Sequence, residues 1–349
     1  MESRSLAFWV LGLVLGVAST LAPGPLWADE TNELSERVDR CAQIRDPDQR
    51  LACFDRLSVA GGSASAPAGV PAGLAELSAP LPGVSRMNLF WELDDETHSG
   101  RGRIRTFEPQ LLVPLRYTTR PNRQPVSPSL EAIDAFPLDS VEAHFRLSLR
   151  TKLWDNPVAD NGDLWVAYTQ TSYWQAYNTK ESSPFRETNY MPEVFSVWRV
   201  GLPLGDRWRW QMLSLGLKHQ SNGRGSSLGI SRSWNRLYVQ FGFEGPATEV
   251  YFRPWVRVLT EDPDDNSDIE DFLGHGDLQV IRHLNRSRIV LSARLNPSTG
   301  KGMARVGYHF PLVGDLHGYL SVFSGYGESL LDYNHKQTTL SAGISMFQF

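Results

Sequence analysis

Cysteine is nearly missing from this chain: Cys41 and Cys53 are the only two in 349 residues, which limits covalent cross-linking to a single bridge. Long apolar runs are missing too. Beyond residue 28 no stretch of about 18 apolar residues occurs, so no transmembrane helix is expected. An excess of positive charge is also absent, with 34 Lys and Arg against 39 Asp and Glu and a net charge of -5. Without a basic stripe, nucleic acid is excluded as a partner. Aromatic side chains, by contrast, are plentiful, at 11 Trp, 11 Tyr and 16 Phe.

The first 28 residues read as a secretory signal: Arg4, an apolar run over 6–17 that is too short to span a bilayer, then Ala28 ahead of Asp29 and Glu30. Residues 29–58 are expected to form a small helical N-terminal extension. Asp46-Pro47-Asp48 breaks it into two helices, with an Asp cap and Pro at the first helical position. Cys41 and Cys53 fall one in each helix. In an exported chain that reads as a disulfide, with a metal or redox pair as the alternative. Residues 59–86, rich in Ala, Gly, Ser and Pro, read as a flexible linker.

From Met87 to the end the pattern has period two. Val141, Ala143, Phe145, Leu147, Leu149 and Leu153 alternate with Glu142, His144, Arg146, Ser148, Arg150 and Lys152. About twelve segments of this kind, most of ten residues or more, suit tilted strands crossing a bilayer. The expected connections alternate as well. Turns near 204–206, 244–247, 285–288 and 312–315 are short, whereas 119–140, 178–189, 221–230, 259–273 and 325–336 are long and polar. Residues 87–349 are therefore expected to form an all-β, twelve-stranded antiparallel transmembrane β-barrel of the outer-membrane type. Phe349 resembles a terminal aromatic assembly signal, although Leu340, Ala342, Ile344 and Met346 have the opposite parity.

The stretch 218–238, KHQSNGRGSSLGISRSWNRLY, carries the chemistry. His219 and Ser221 are i and i+2 on one strand and so share a face, with Asn235 on the next strand. Leu213, Leu215 and Leu217 share parity with the first pair, and Leu237, Val239, Phe241 and Phe243 with Asn235. These polar groups thus lie on the apolar face, where they are costly to bury without a purpose. A hydroxyl, an imidazole to take its proton and an amide to orient the imidazole are the parts of an acyl-transfer nucleophile. A lone histidine would more often be structural, and Ser221-Asn222-Gly223 is also a good turn. Gly225-Ser226-Ser227-Leu228-Gly229 matches G-x-S-x-G but lies between strands, not at a strand-to-helix elbow. The acidic segment 261–271 lacks the glycine and distal glutamate of an EF-hand loop; it reads as a solvated external loop, with a weak divalent-cation site as the alternative.

Several motifs in one order, AYTQTSYWQAYN (167–178), ESSPFRETNY (181–190), HQSNGR (219–224), SRSWNRLY (231–238) and SGYGESLLDYN (324–334), resemble the outer membrane phospholipase A family. The resemblance implies a calcium-dependent homodimer that hydrolyses phospholipid acyl esters with phospholipase A1, A2 and lysophospholipase activity. Ser221 would be the nucleophile, His219 the base and Asn235 its orienting group. The Gly223 N–H and a Ca2+ ion would bind the oxyanion. Calcium donors would be the Arg224 carbonyl, Ser231, and Ser182 of the partner subunit; Gln170 would match a polar interface residue. The site would face the lipid at outer-leaflet depth. The loop 224–231 contains no carboxylate. The rival reading is a non-enzymatic barrel, a pore or surface structural protein, against which the lumen-facing Arg146, Arg150 and Lys152 point to a plugged interior.

Overall fold

The computed structural model describes Ile44 and residues 85–129, 135–158, 161–225, 229–260 and 264–346. The expected signal, the helical hairpin with Cys41 and Cys53, most of the linker and the terminal Phe349 lie outside these residues. Thirteen strands are present among them: β1 (Arg105–Thr106), β2 (Gln110–Thr118), β3 (Val141–Val158), β4 (Gly162–Trp174), β5 (Phe185–Leu204), β6 (Trp208–Ser221), β7 (Ser233–Gly245), β8 (Thr248–Val258), β9 (Gly276–Leu284), β10 (Ser287–Asn296), β11 (Lys301–Val313), β12 (Leu316–Gly325) and β13 (Gln337–Met346). From β2 to β13 each strand pairs antiparallel with its neighbour in sequence, and β13 returns to β2 through Ser341 opposite Arg116. Twelve strands thereby close into a barrel, with β1 a two-residue addition on β3. Closure pairs the edges that an open sheet would expose, which a strand protein in lipid requires. No described helix is long and apolar enough to cross a membrane.

Period two becomes two walls. On β3, Ser148 and Lys152 are buried in the lumen, whereas Leu147 and Leu153 are 46% and 50% exposed on the outer surface. The turns 205–207, 246–247, 285–286 and 314–315 are short and at one end. The opposite end carries 119–140, 175–184, 222–232, 259–275 and 326–336, and one short connection, 297–300.

The strand pattern expected from Met87 is not what forms there. Residues Arg86–Trp91 make a one-and-a-half-turn helix, α1, whose N-cap Ser85 accepts from the Asn88 N–H. Met87 and Trp91, four apart and hence on one helix face, are both buried in the lumen. The Glu244 carboxylate accepts from the Ser85 hydroxyl at 2.5 Å and from the Arg86 N–H at 2.8 Å, so an anion meets the helix start. Arg86 also donates to the Gly245 carbonyl at 2.8 Å, which ties α1 to the turn end. At the other end of the helix Glu92, fully buried, pairs with Arg105 at 2.8 Å and Lys152 at 3.1 Å.

Many polar lumen residues are paired across the interior. Lys218 reaches Glu193 at 2.9 Å, and the Tyr238 hydroxyl donates to the same carboxylate at 3.0 Å. Tyr238 gets there by lying over Gly216, where a Cβ would stand 2.5 Å from its ring. Nearer the loop end a second helix, α2 (Ile269–Leu273), inserts Ile269 and Leu273 into a core shared with Trp234, Trp255 and Tyr333. Trp234, on the lumen-facing side of its strand with Arg236, Tyr238 and Gln240, is therefore a core residue, edge-on to Trp255.

Candidate active site on the outer wall

The β6–β7 register places His219 opposite Asn235 and Ser221 opposite Ser233. On the other side of β6, Ser221 lies opposite Tyr190, and Tyr190 in turn opposite Gln170. A polar belt therefore crosses four adjacent strands at one level. It extends along β4 and β5: Tyr168 donates to Gln170 at 3.0 Å, Gln170 to Ser172 at 3.3 Å and Thr188 to Ser172 at 3.2 Å. Below the belt the same face is apolar, with Val194 and Leu217 exposed.

His219 Nδ1 is 2.8 Å from Asn235 Oδ1. The amide is oriented by its other end, because Asn235 Nδ2 donates to the Leu259 carbonyl at 3.0 Å. A carbonyl can only accept, so the NH2 points to Leu259 and the oxygen to the imidazole. The hydrogen then sits on Nδ1, leaving the Nε2 lone pair free to accept. Ser221 occupies the same face two residues on, at the end of β6. Among the described residues no Ser221–His219 hydrogen bond is formed, and such contacts commonly tighten only with substrate bound.

Gly223 begins the loop that follows, at φ +64°, with the Tyr190 ring 2.9 Å from where a Cβ would be. The loop is held by a residue that motif reading left as a turn former. Asn222 is buried and serves both strands: its Oδ1 accepts from the Arg224 and Arg232 N–H groups at 3.3 and 3.1 Å, while its Nδ2 donates to the Ile230 carbonyl at 2.7 Å. Its own N–H donates to the Arg232 carbonyl at 3.1 Å. The bond from the Arg224 N–H, two residues on, is the local one that an S-N-G turn suggests, but the partners that hold the loop, Ile230 and Arg232, lie eight and ten residues away.

The calcium donors suggested by the motifs are hard oxygens of the kind calcium takes, which fits the ion in type. Arg224 and Ser231 are both half-buried in this loop, and Ser182 is exposed at φ +59° after the short 3-10 turn Thr179–Glu181. Six to eight oxygens are needed, so the Arg224 carbonyl and Ser231 would not fill a shell by themselves. Among the described residues no group of three or more His, Cys, Asp or Glu could hold a metal. In the acidic segment, Asp264 accepts from Arg257 at 2.7 Å and Asp268 from Tyr333 at 2.5 Å, so two of its carboxylates brace the loop end.

A closed barrel with a filled lumen and a hydroxyl, imidazole and amide gathered on its outer wall belongs with membrane-embedded barrel enzymes, not with open channels. Residues 87–346 match the family described as Phospholipase A1, and the chain belongs to that family. A relative from Neisseria meningitidis serogroup B is 36% identical over 390 residues, covering 99% of this chain and 96% of its own. Phospholipase A1 of Salmonella typhimurium is 39% identical over 205 residues, covering 59% of this chain and 69% of that protein. Among solved structures, outer membrane phospholipase A from Escherichia coli superposes with a TM-score of 0.67 at 33% identity, covering 75% of this chain and 98% of that one. The Salmonella typhi outer membrane phospholipase dimer with bound calcium does so with a TM-score of 0.67 at 32% identity, again covering 75% and 98%. This chain is accordingly a phospholipase of the outer membrane.

Proposed function

We propose that the chain hydrolyses the acyl esters of phospholipids, at either glycerol position and in lysophospholipids, through Ser221, His219 and Asn235 in a calcium-dependent homodimer. The observation that carries this reading is the 2.8 Å His219–Asn235 bond on the lipid-facing wall beside Ser221. Depth supports it as well. Ser221 is the last of 14 residues in β6, which at about 3.3 Å per residue and a tilt of about 40° puts it about 33 Å from the turn end. A distance of that size, set against a hydrocarbon core of about 30 Å, supports a site at the level of outer-leaflet ester groups.

In this mechanism His219 Nε2 takes the Ser221 proton as Oγ attacks the ester carbonyl. Asn235 keeps the Nδ1–H tautomer in place and stabilises the imidazolium without itself carrying charge. The Gly223 N–H donates to the oxyanion. His219 returns the proton to the departing glycerol oxygen, and water, activated by the same imidazole, then releases the fatty acid. The Arg224 carbonyl, Ser231 and Ser182 of the partner subunit would hold calcium, which when bound supplies positive charge beside the oxyanion. Gln170, on the same polar belt, would face the second copy.

Fatty-acid release from mixed micelles by the detergent-refolded protein tests this, with calcium, with chelator and with Ser221→Ala. Activity that needs calcium and vanishes in the variant is expected. Activity retained by Ser221→Ala would remove the nucleophile assignment, and activity retained in chelator would remove the calcium.

A further inference from the structure

We infer that the barrel lumen holds a binding site for a small oxyanion of the phosphate class, with Arg236 and Arg294 as its anchors. A cavity of about 390 Å³ runs inside the barrel between α1 and the 326–336 loop. Its lining carries eight Lys and Arg against four Asp and Glu, and seven of the eight cations are arginine.

The four carboxylates are already committed. Glu108 pairs with Arg146 at 2.9 Å, Asp277 with Arg253 at 2.8 Å, Glu328 with both Arg116 and Arg305, and Glu249 with Arg86 and His283. Lys218 has Glu193. Arg236 and Arg294 have no carboxylate within ion-pair distance among the described residues. Arg236 is only 7% exposed; it donates to Gln220 Oε1 at 3.2 Å and stacks at 4.0 Å over Trp234. Arg294 donates to the Gly327 carbonyl at 2.8 Å. The Nε of each is buried with no partner. Arg236 feels Arg253 and Arg294 ahead of the Asp277 and Glu193 carboxylates, and Arg294 feels Asp277 as well as Arg305 and Arg253, so the two guanidinium groups share one already paired carboxylate.

Buried charge without a counter-ion in direct contact is costly, and a distant shared carboxylate and stacking on an indole offset only part of that cost. A mobile anion in the adjoining cavity would offset the rest. Guanidinium groups offer paired N–H donors that match the oxygens of phosphate, so Arg236 and Arg294 favour an oxyanion over a halide. Arg236 follows Asn235 directly and points to the opposite wall, so this site is separate from the outer polar belt.

The probe is inorganic phosphate, added to the full-length protein in detergent with chelator present, against sodium chloride at matched ionic strength. Binding is read by calorimetry and by thermal unfolding. Wild-type protein should show a saturable rise in Tm of about 2–4 °C. Arg236→Gln and Arg294→Gln should each weaken binding at least about tenfold, the equivalent of one lost charge-assisted hydrogen bond, while Arg207→Gln, in an exposed turn, should not. A second arm uses glycerol phosphate: equal binding would assign the site to a headgroup fragment, and binding of inorganic phosphate alone to the free ion. An identical response to chloride, no saturable binding by the wild type, or undiminished binding in both folded variants would overturn the proposal. If a variant fails to fold, the wild-type calorimetry alone still decides.

Discussion

In the proposed mechanism Asn235 orients His219 and stabilises the imidazolium without taking its proton, because an amide is not a base. Asn235→Ala should lower kcat by about a hundredfold with little change in KM. Asn235→Asp, whose carboxylate can still accept from Nδ1–H, should keep more activity; steady-state kinetics on a short-chain ester would separate the two. At Gly223 the requirement is steric. Its φ of +64° and the Tyr190 ring at 2.9 Å both disfavour a Cβ, so Gly223→Ala should displace the N–H and reduce kcat by about a hundredfold. Adding Tyr190→Ala would relieve the contact but not the backbone strain, and should restore only part of the rate. The shared face of His219, Ser221 and Asn235 was legible in the sequence, because strand parity and the hairpin between β6 and β7 put them together where polar groups have no packing role. Asn222 was not, since its bonds to Ile230 and Arg232 exist only once the loop has closed.

At the level of elements, the strands announce themselves and the plug does not. Alternation on β3 translates directly into a lumen wall with Ser148 and Lys152 and a lipid wall with Leu147 and Leu153. The segment RMNLFW is too densely apolar for its period to be read, and its helix depends on Glu244, more than 150 residues away, to meet its start. Trp91 shows what α1 contributes. It is 5% exposed, lies edge-on to Phe107, Phe195 and Tyr251, and donates to the Tyr251 hydroxyl at 3.4 Å. Trp91→Ala should cost about 3–5 kcal/mol, seen as a lower urea midpoint in detergent. The rate per folded molecule should stay the same, because the polar belt is on the outer wall near the opposite end.

For the molecule as a whole, the lumen is closed by charge as much as by packing. Arg116 bridges Glu142 and Glu328, each at 2.5 Å; Arg186 bridges Glu142 and Asp332, each at 3.0 Å; and Arg305 returns to Glu328 at 3.0 Å. One network thus joins β2, β3, β5 and β11 to the 326–336 loop, and an open pore would have to break it. Asp332, in that loop, exposes the network to pH. Burial alone would raise its pKa, but the Arg186 guanidinium, the Ser329 hydroxyl, Arg116 and the Asn122 amide outweigh burial and hold it at about 2 against an ordinary 3.8. Because the folded value is the lower one, the contribution is fully present above the unfolded pKa of 3.8 and is lost as pH falls through about 2. That difference corresponds to about 2 kcal/mol. Thermal unfolding measured from pH 7 downward should therefore be level to about pH 4 and then fall steeply in the wild type. Asp332→Asn should start lower at pH 7 and lose less of its Tm below pH 4. An equally steep acid limb in Asp332→Asn would assign the acid sensitivity to other carboxylates of the network and leave Asp332 a neutral brace.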